Sequence, residues 1–133
     1  MIDGASPVTR NRSLTRHYQT VDLASRTDGA SPHELVALLY AELGMALDVM
    51  SKASPFADTT RFTAQYERAA SILHTLEASL DPVGGGVLAL RLGAIYRQMR
   101  KRLATARSGD AGAIAEVREG LASLADAWAK ITA

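Results

Sequence analysis

At 133 residues the chain is long enough for one compact domain and too short for two ordinary ones, and 47% hydrophobic with 22% charged residues argues against wholesale disorder. A formal net charge of +1 gives no reason to expect nucleic acid as a partner, and the lack of cysteine excludes disulfides and thiolate metal sites. No run reaches the roughly 18 apolar residues of a membrane helix, and Met1 is not followed by a secretory signal, so the expectation is a cytosolic protein without membrane insertion.

Residues 1–16 hold Gly4, Pro7, several hydroxyl residues and three arginines against the single acid Asp3, with no usable periodicity. They read as a mobile basic arm. From residue 17 to 28 the sequence tightens. Leu14, Tyr18, Val21 and Leu23 recur near helical spacing, which predicts a short amphipathic helix that persists only when docked, because so short a helix is marginal alone in water. Asp28-Gly29 breaks it.

The next helix announces its own start. Ser31 can accept from the Glu34 N–H while the Glu34 carboxylate reaches back to the Ser31 N–H, a capping box with Pro32 at the first helical position. From Leu35 to Tyr40 every residue is apolar or aromatic. Leu35, Leu39, Ala46 and Met50 share one face, and Val36, Tyr40, Leu43 and Leu47 an adjoining one. A helix this apolar around its circumference is covered on several sides, by its own domain or by a partner. It runs to about Lys52, stopped by Ser54-Pro55.

Asp58, Thr59 or Thr60 can cap a second helix, in which Phe62, Tyr66, Ala69, Leu73, Leu76 and Leu80 make a heptad-like seam. Asp81-Pro82 and Gly84-Gly85-Gly86 end it. A third helix carries the seam Leu88, Leu92, Ile95, Met99 and Leu103, with Tyr96 beside it and Arg91, Arg97, Arg100, Lys101, Arg102 and Arg107 on its outer side. After Ser108-Gly109, Asp110 can cap a fourth helix bearing Ile114, Val117, Leu121, Leu124, Trp128 and Ile131. Gly120 within it costs about 1 kcal/mol relative to alanine and marks a close helix approach. Nothing reads as a strand. Four helices of about 30 Å with short connections predict an all-α, antiparallel up-down-up-down four-helix bundle over residues 17–133, with residues 17–28 as a short N-terminal capping helix.

Catalytic constellations are scarce. His17 has no carboxylate nearby in sequence, and His33 sits two residues past the helix cap, where the positive helix end disfavours imidazolium. No Glu-x-x-His pair of the kind that builds metal sites in bundles occurs. Gly84-Gly85-Gly86 lacks the preceding strand and the lysine of a phosphate loop and reads as a connection. No catalytic residue, metal or cofactor is expected, and the chain is not expected to be an enzyme. His74, one position past Leu73, supports one alternative: a histidine-phosphotransfer module, also a four-helix bundle with an exposed mid-helix histidine. Against it, Glu77 stands where such modules place a basic residue and would repel a phosphoryl group.

The motifs taken together resemble the FliS family of flagellar export chaperones. The likeness lies in Ala30-Ser31-Pro32-His33-Glu34-Leu35-Val36 with Leu39-Tyr40; in Ala69, Ile72-Leu73, Leu76 and Ser79-Leu80-Asp81; in Leu92, Ile95-Tyr96, Met99 and Arg102-Leu103; in Glu116-Val117 leading to Trp128; and in Tyr18-Gln19. Ala41-Glu42 departs from the family's acid-then-glycine after the Leu-Tyr pair. The resemblance implies a bacterial cytosolic chaperone that binds the C-terminal segment of flagellin, prevents premature polymerisation and delivers it to the flagellar type III export apparatus. The export gate protein FlhA, through its cytoplasmic domain, is the second implied partner, and the free protein is expected as a monomer or weak dimer. The expected flagellin groove comprises Val36, Leu39, Tyr40, Leu43, Leu47, Tyr96 and Met99, with Tyr18 and Val21 of the N-terminal segment covering it when flagellin is absent. The residues alone leave open whether this helix simply packs centrally.

Overall fold

The computed structural model describes residues 29–81 and 84–131. The expected arm over residues 1–16 and the capping helix over residues 17–28, with Tyr18 and Val21, lie outside the described residues. Four helices follow in order: α1 (Pro32–Lys52), α2 (Thr59–Ala78), α3 (Gly86–Ala106) and α4 (Ala111–Lys130). Among the described residues there is no strand.

The chain divides into two units, residues 1–35 with 133 and residues 36–132. In the first, the described part is the opening of α1, and it is the capping box. The Ser31 N–H donates to Glu34 Oε1 at 2.8 Å, and the Glu34 N–H donates to Ser31 Oγ at 3.1 Å. Two backbone donors that have no partner within the helix are thereby satisfied.

In the second unit, cross-links between elements give the topology. Tyr40 meets Trp128, and Asp48 meets Arg118 at 3.4 Å, so α4 descends alongside a rising α1. The Arg107 guanidinium lies 4.8 Å from the centre of the Tyr66 ring, while Glu77 takes Arg97 at 3.1 Å and Arg100 at 2.6 Å, which sets α3 antiparallel to α2. Arg102 closes a two-pronged bridge on Glu116 at 2.8 and 3.0 Å, tying the end of α3 to the beginning of α4. Glu42, buried, pairs with Arg68 of α2. These are the connections of an up-down-up-down four-helix bundle.

The core runs through Leu43, Leu47 and Met50 of α1, Phe62, Leu73 and Leu76 of α2, Tyr96 and Leu103 of α3, and Ile114, Val117 and Leu121 of α4. Burying each large side chain contributes about 1.5–3 kcal/mol, offset mostly by lost chain entropy. The expected seams of α2 and α4 are found, although Leu124 and Trp128 are only partly covered and Ile131, past the end of α4, is exposed.

The α3 seam is found at Leu92, Met99 and Leu103 and corrected at Leu88 and Ile95. Leu88 is 51% and Ile95 39% exposed, while Ala89, Leu92, Gly93, Tyr96, Met99, Leu103 and Ala106 are buried. The helix is rotated so that Tyr96, read from sequence as flanking the seam, lies on it. There the Tyr96 hydroxyl lies 2.7 Å from that of Tyr40 inside the bundle, and the small Ala89, Gly93 and Ala106 share the buried side. Two cap expectations also fail in detail. Asp58 and Asp110 occupy the residues before α2 and α4, but neither carboxylate bonds a helix N–H. Asp110 instead faces Arg102 at 3.5 Å, and the turn before α2 is held by Ser54 Oγ, which accepts from the Phe56 and Ala57 N–H groups at 3.1 Å each. Gly120 does mark a close approach: a Cβ there would stand 3.3 Å from Met99 Cε.

Candidate functional site: apolar furrows beside α4

The α1 helix carries more apolar surface than the core consumes, and the surplus is divided. Tyr40, Leu43, Ala46, Leu47 and Met50 face inward, Met45 faces solvent, and Ala37, Ala41 and Gly44 form a strip of small residues between them. On the facing α4, Ala122, Ala125 and Ala129 make a second such strip. The two strips bound an open furrow of about 390 Å³, running from Ala37 and Ala129 at one end to Leu47 and Arg118 at the other. Its floor is Tyr40, Leu47, Leu121 and Trp128. Small walls matter physically because they let the backbone of an incoming helix approach while its own large side chains fill the trough.

At one end of the furrow the aromatic groups are fixed against one another. The Tyr40 and Tyr96 hydroxyls lie 2.7 Å apart in the core, and the Tyr40 ring meets Trp128 edge-on at 6.1 Å and 72°. Burial pushes both phenols above their ordinary pKa; for Tyr40 the bond to Tyr96 adds to the rise, whereas for Tyr96 it partly offsets it. Both hydroxyls therefore stay protonated across the physiological range and serve as a neutral, geometrically fixed pair. At the other end, Arg118 leans toward Asp48 and supplies the charge in the lining.

A second furrow, about 520 Å³, lies between α3 and α4 and is lined by Ala94, Ile95, Gln98, Met99, Val117 and Gly120, with the Arg102–Glu116 bridge beside it.

Measured against the sequence expectation, Tyr40 and Leu47 line the α1/α4 furrow and Met99 lines the α3/α4 furrow. Leu43 and Tyr96 are buried in the core, lining neither; Val36 and Leu39 are half-buried against it, also outside both. Sequence reasoning missed the walls: Ala37, Ala41 and Gly44 recur at spacings of four and three, and Ala122, Ala125 and Ala129 at three and four, but a search for large apolar residues passes over such strips. His74 is exposed on α2, and Glu77, one turn on, is engaged by Arg97 and Arg100. Among the described residues, no group of His, Cys, Asp or Glu is placed to hold a metal ion, and no helix is long and apolar enough to cross a membrane.

Fold and surface together define a class: a four-helix bundle whose open features are helix-wide apolar furrows. The family model described as flagellar protein FliS matches residues 14–133, and the chain belongs to that family. The flagellar secretion chaperone FliS of Salmonella typhimurium strain LT2 is 34% identical over 120 residues, which cover 86% of this chain and 87% of that protein. Family membership leaves the phosphotransfer reading of His74 without support.

Proposed function

We propose that the chain is a flagellar secretion chaperone that binds the C-terminal segment of flagellin, holds it unpolymerised in the bacterial cytosol and presents it to the flagellar export apparatus. The observation that carries this reading is the open furrow between α1 and α4 on a chain of the FliS family. A segment disordered on its own folds as an amphipathic helix when its apolar side enters the trough, so binding and helix formation are one event. Tyr40 and Leu47 form the floor it meets, and Val36, Leu39, Leu43 and Tyr96 act by holding that floor in place. Met99, in the α3/α4 furrow, meets a further stretch of the same client. The work is binding without catalysis.

The N-terminal segment with Tyr18 and Val21 covers the furrow when no client is present, and the free protein is a monomer or weak dimer. The cytoplasmic domain of FlhA is the second partner and engages the chaperone–flagellin complex. Titrating the full chain with a flagellin C-terminal peptide, followed by far-ultraviolet circular dichroism, tests the reading. Helical signal above the sum of the separate components supports it; an additive signal at saturating peptide contradicts it. Deleting residues 1–28 then raises peptide affinity or produces self-association, and a folded monomer of unchanged affinity refutes the covering role.

A further inference from the structure

The α3 helix has an outward face that the α1/α4 furrow does not use and that borders the α3/α4 furrow, sharing Ala94 and Gln98 with it. Val87, Leu90, Arg91, Ala94, Gln98 and Lys101 recur at spacings of three and four, so they lie along one side of the helix. All are exposed, with Val87 and Leu90 each at 63%, and Leu88 adjoins them at 51%. Other large apolar residues such as Met45 and Phe56 are also exposed, but Val87, Leu88 and Leu90 bring three together within about one helical turn, a contiguous patch rather than a scattered residue. The same helix carries Arg91, Arg97, Arg100, Lys101 and Arg102 and no carboxylate. Arg97, Arg100 and Arg102 are engaged by Glu77 and Glu116, but among the described residues no carboxylate pairs with Arg91 or Lys101.

We propose that this face is a second docking surface, for an acidic amphipathic protein segment, distinct from the α1/α4 furrow. An aliphatic centre bordered by cations fits a partner with an apolar ridge flanked by carboxylates. A second copy of the chain is disfavoured, because it would bring the same cations against each other. Nucleic acid is disfavoured because Val87, Leu88 and Leu90 offer no ring for a base to stack on. A lipid surface would need a longer apolar face: beyond Val87, Leu88 and Leu90 only Ile95 is exposed among the large apolar residues of the helix, while Leu92, Tyr96, Met99 and Leu103 are consumed by the core.

The test uses the full chain, isotope-labelled, and two synthetic helical peptides with leucines on one side, flanked by glutamates in one peptide and by lysines in the other. The glutamate peptide is expected to perturb the amides of residues 87–101. R91E/K101E and, separately, L90S are expected to weaken it at least about tenfold, which is 1.4 kcal/mol. The lysine peptide is expected to bind R91E/K101E better than the unaltered chain, a gain that a merely misfolded variant cannot produce. Equal binding of the two peptides to the unaltered chain, perturbations confined to α1 and α4, concentration-dependent dimerisation through residues 87–101, or tighter binding of phosphatidylglycerol vesicles or single-stranded DNA than of the glutamate peptide would each overturn the proposal.

Discussion

Tyr40 and Tyr96 are each other's polar partner within the bundle, apart from the buried Glu42 and its partner Arg68. Removing one hydroxyl with Tyr40→Phe strands the other, which costs about 1–3 kcal/mol, whereas Tyr40→Phe with Tyr96→Phe removes both and recovers most of the loss. Urea denaturation of Tyr40→Phe, Tyr96→Phe and the double variant measures this; a double variant as unstable as the sum of the two singles contradicts it. The pair also sets an alkaline limit. Both phenols titrate above their ordinary value of about 10 when folded, so the unfolded chain ionises first. Their contribution is whole below pH 10 and is lost as pH rises beyond it, and the double phenylalanine variant shows a shallower decline there.

Among the elements, α1 shows what a sequence makes plain. The capping box is written within four residues and depends on nothing distant, so Ser31 and Glu34 do as their spacing dictates. Ser31→Ala is expected to lower stability by about 1 kcal/mol in denaturant melts at pH 7. Bonding to Ser31 holds the Glu34 carboxyl below its ordinary value of 4.5. The largest part of this comes from the Ser31 backbone N–H, which Ser31→Ala keeps, so the variant that reads it is Glu34→Ala: the contribution is present above pH 4.5 and fades as pH falls through the folded value, narrowing the difference between Glu34→Ala and the unaltered chain at pH 3. The cap expected of Asp110 was not legible for the opposite reason: its carboxylate is claimed by Arg102, eight residues back, which only the folded turn brings within reach. That turn rests on Gly109, whose φ of +100° suits glycine and whose missing Cβ leaves room for Phe56, 2.8 Å from where one would stand. Gly109→Ala is expected to cost at least about 1 kcal/mol from backbone strain alone, read as a lowered denaturation midpoint. The phase of α3 eluded the sequence as well, because Leu88 and Ile95 satisfy the same three-four spacing as the residues that are buried. What distinguishes the buried stripe is its match to the neighbouring helices, such as the Tyr96 hydroxyl meeting Tyr40, which spacing along one helix does not display.

For the whole molecule, the bundle and its family were legible, since seams, caps and connections are periodic or local. The furrow was half legible. Its floor, Tyr40 and Leu47, stands out as apolar excess, but its walls are alanines and a glycine, whose role is to be absent where a larger side chain would fill the trough. That role gives the most direct measurement. Ala41 is exposed on the furrow wall, so Ala41→Phe fills the trough without entering the core. Calorimetric titration with a flagellin C-terminal peptide should show affinity reduced at least about tenfold in this variant, with its denaturation midpoint unchanged. Undiminished affinity in a variant equally stable would mean that the client lies elsewhere on the bundle.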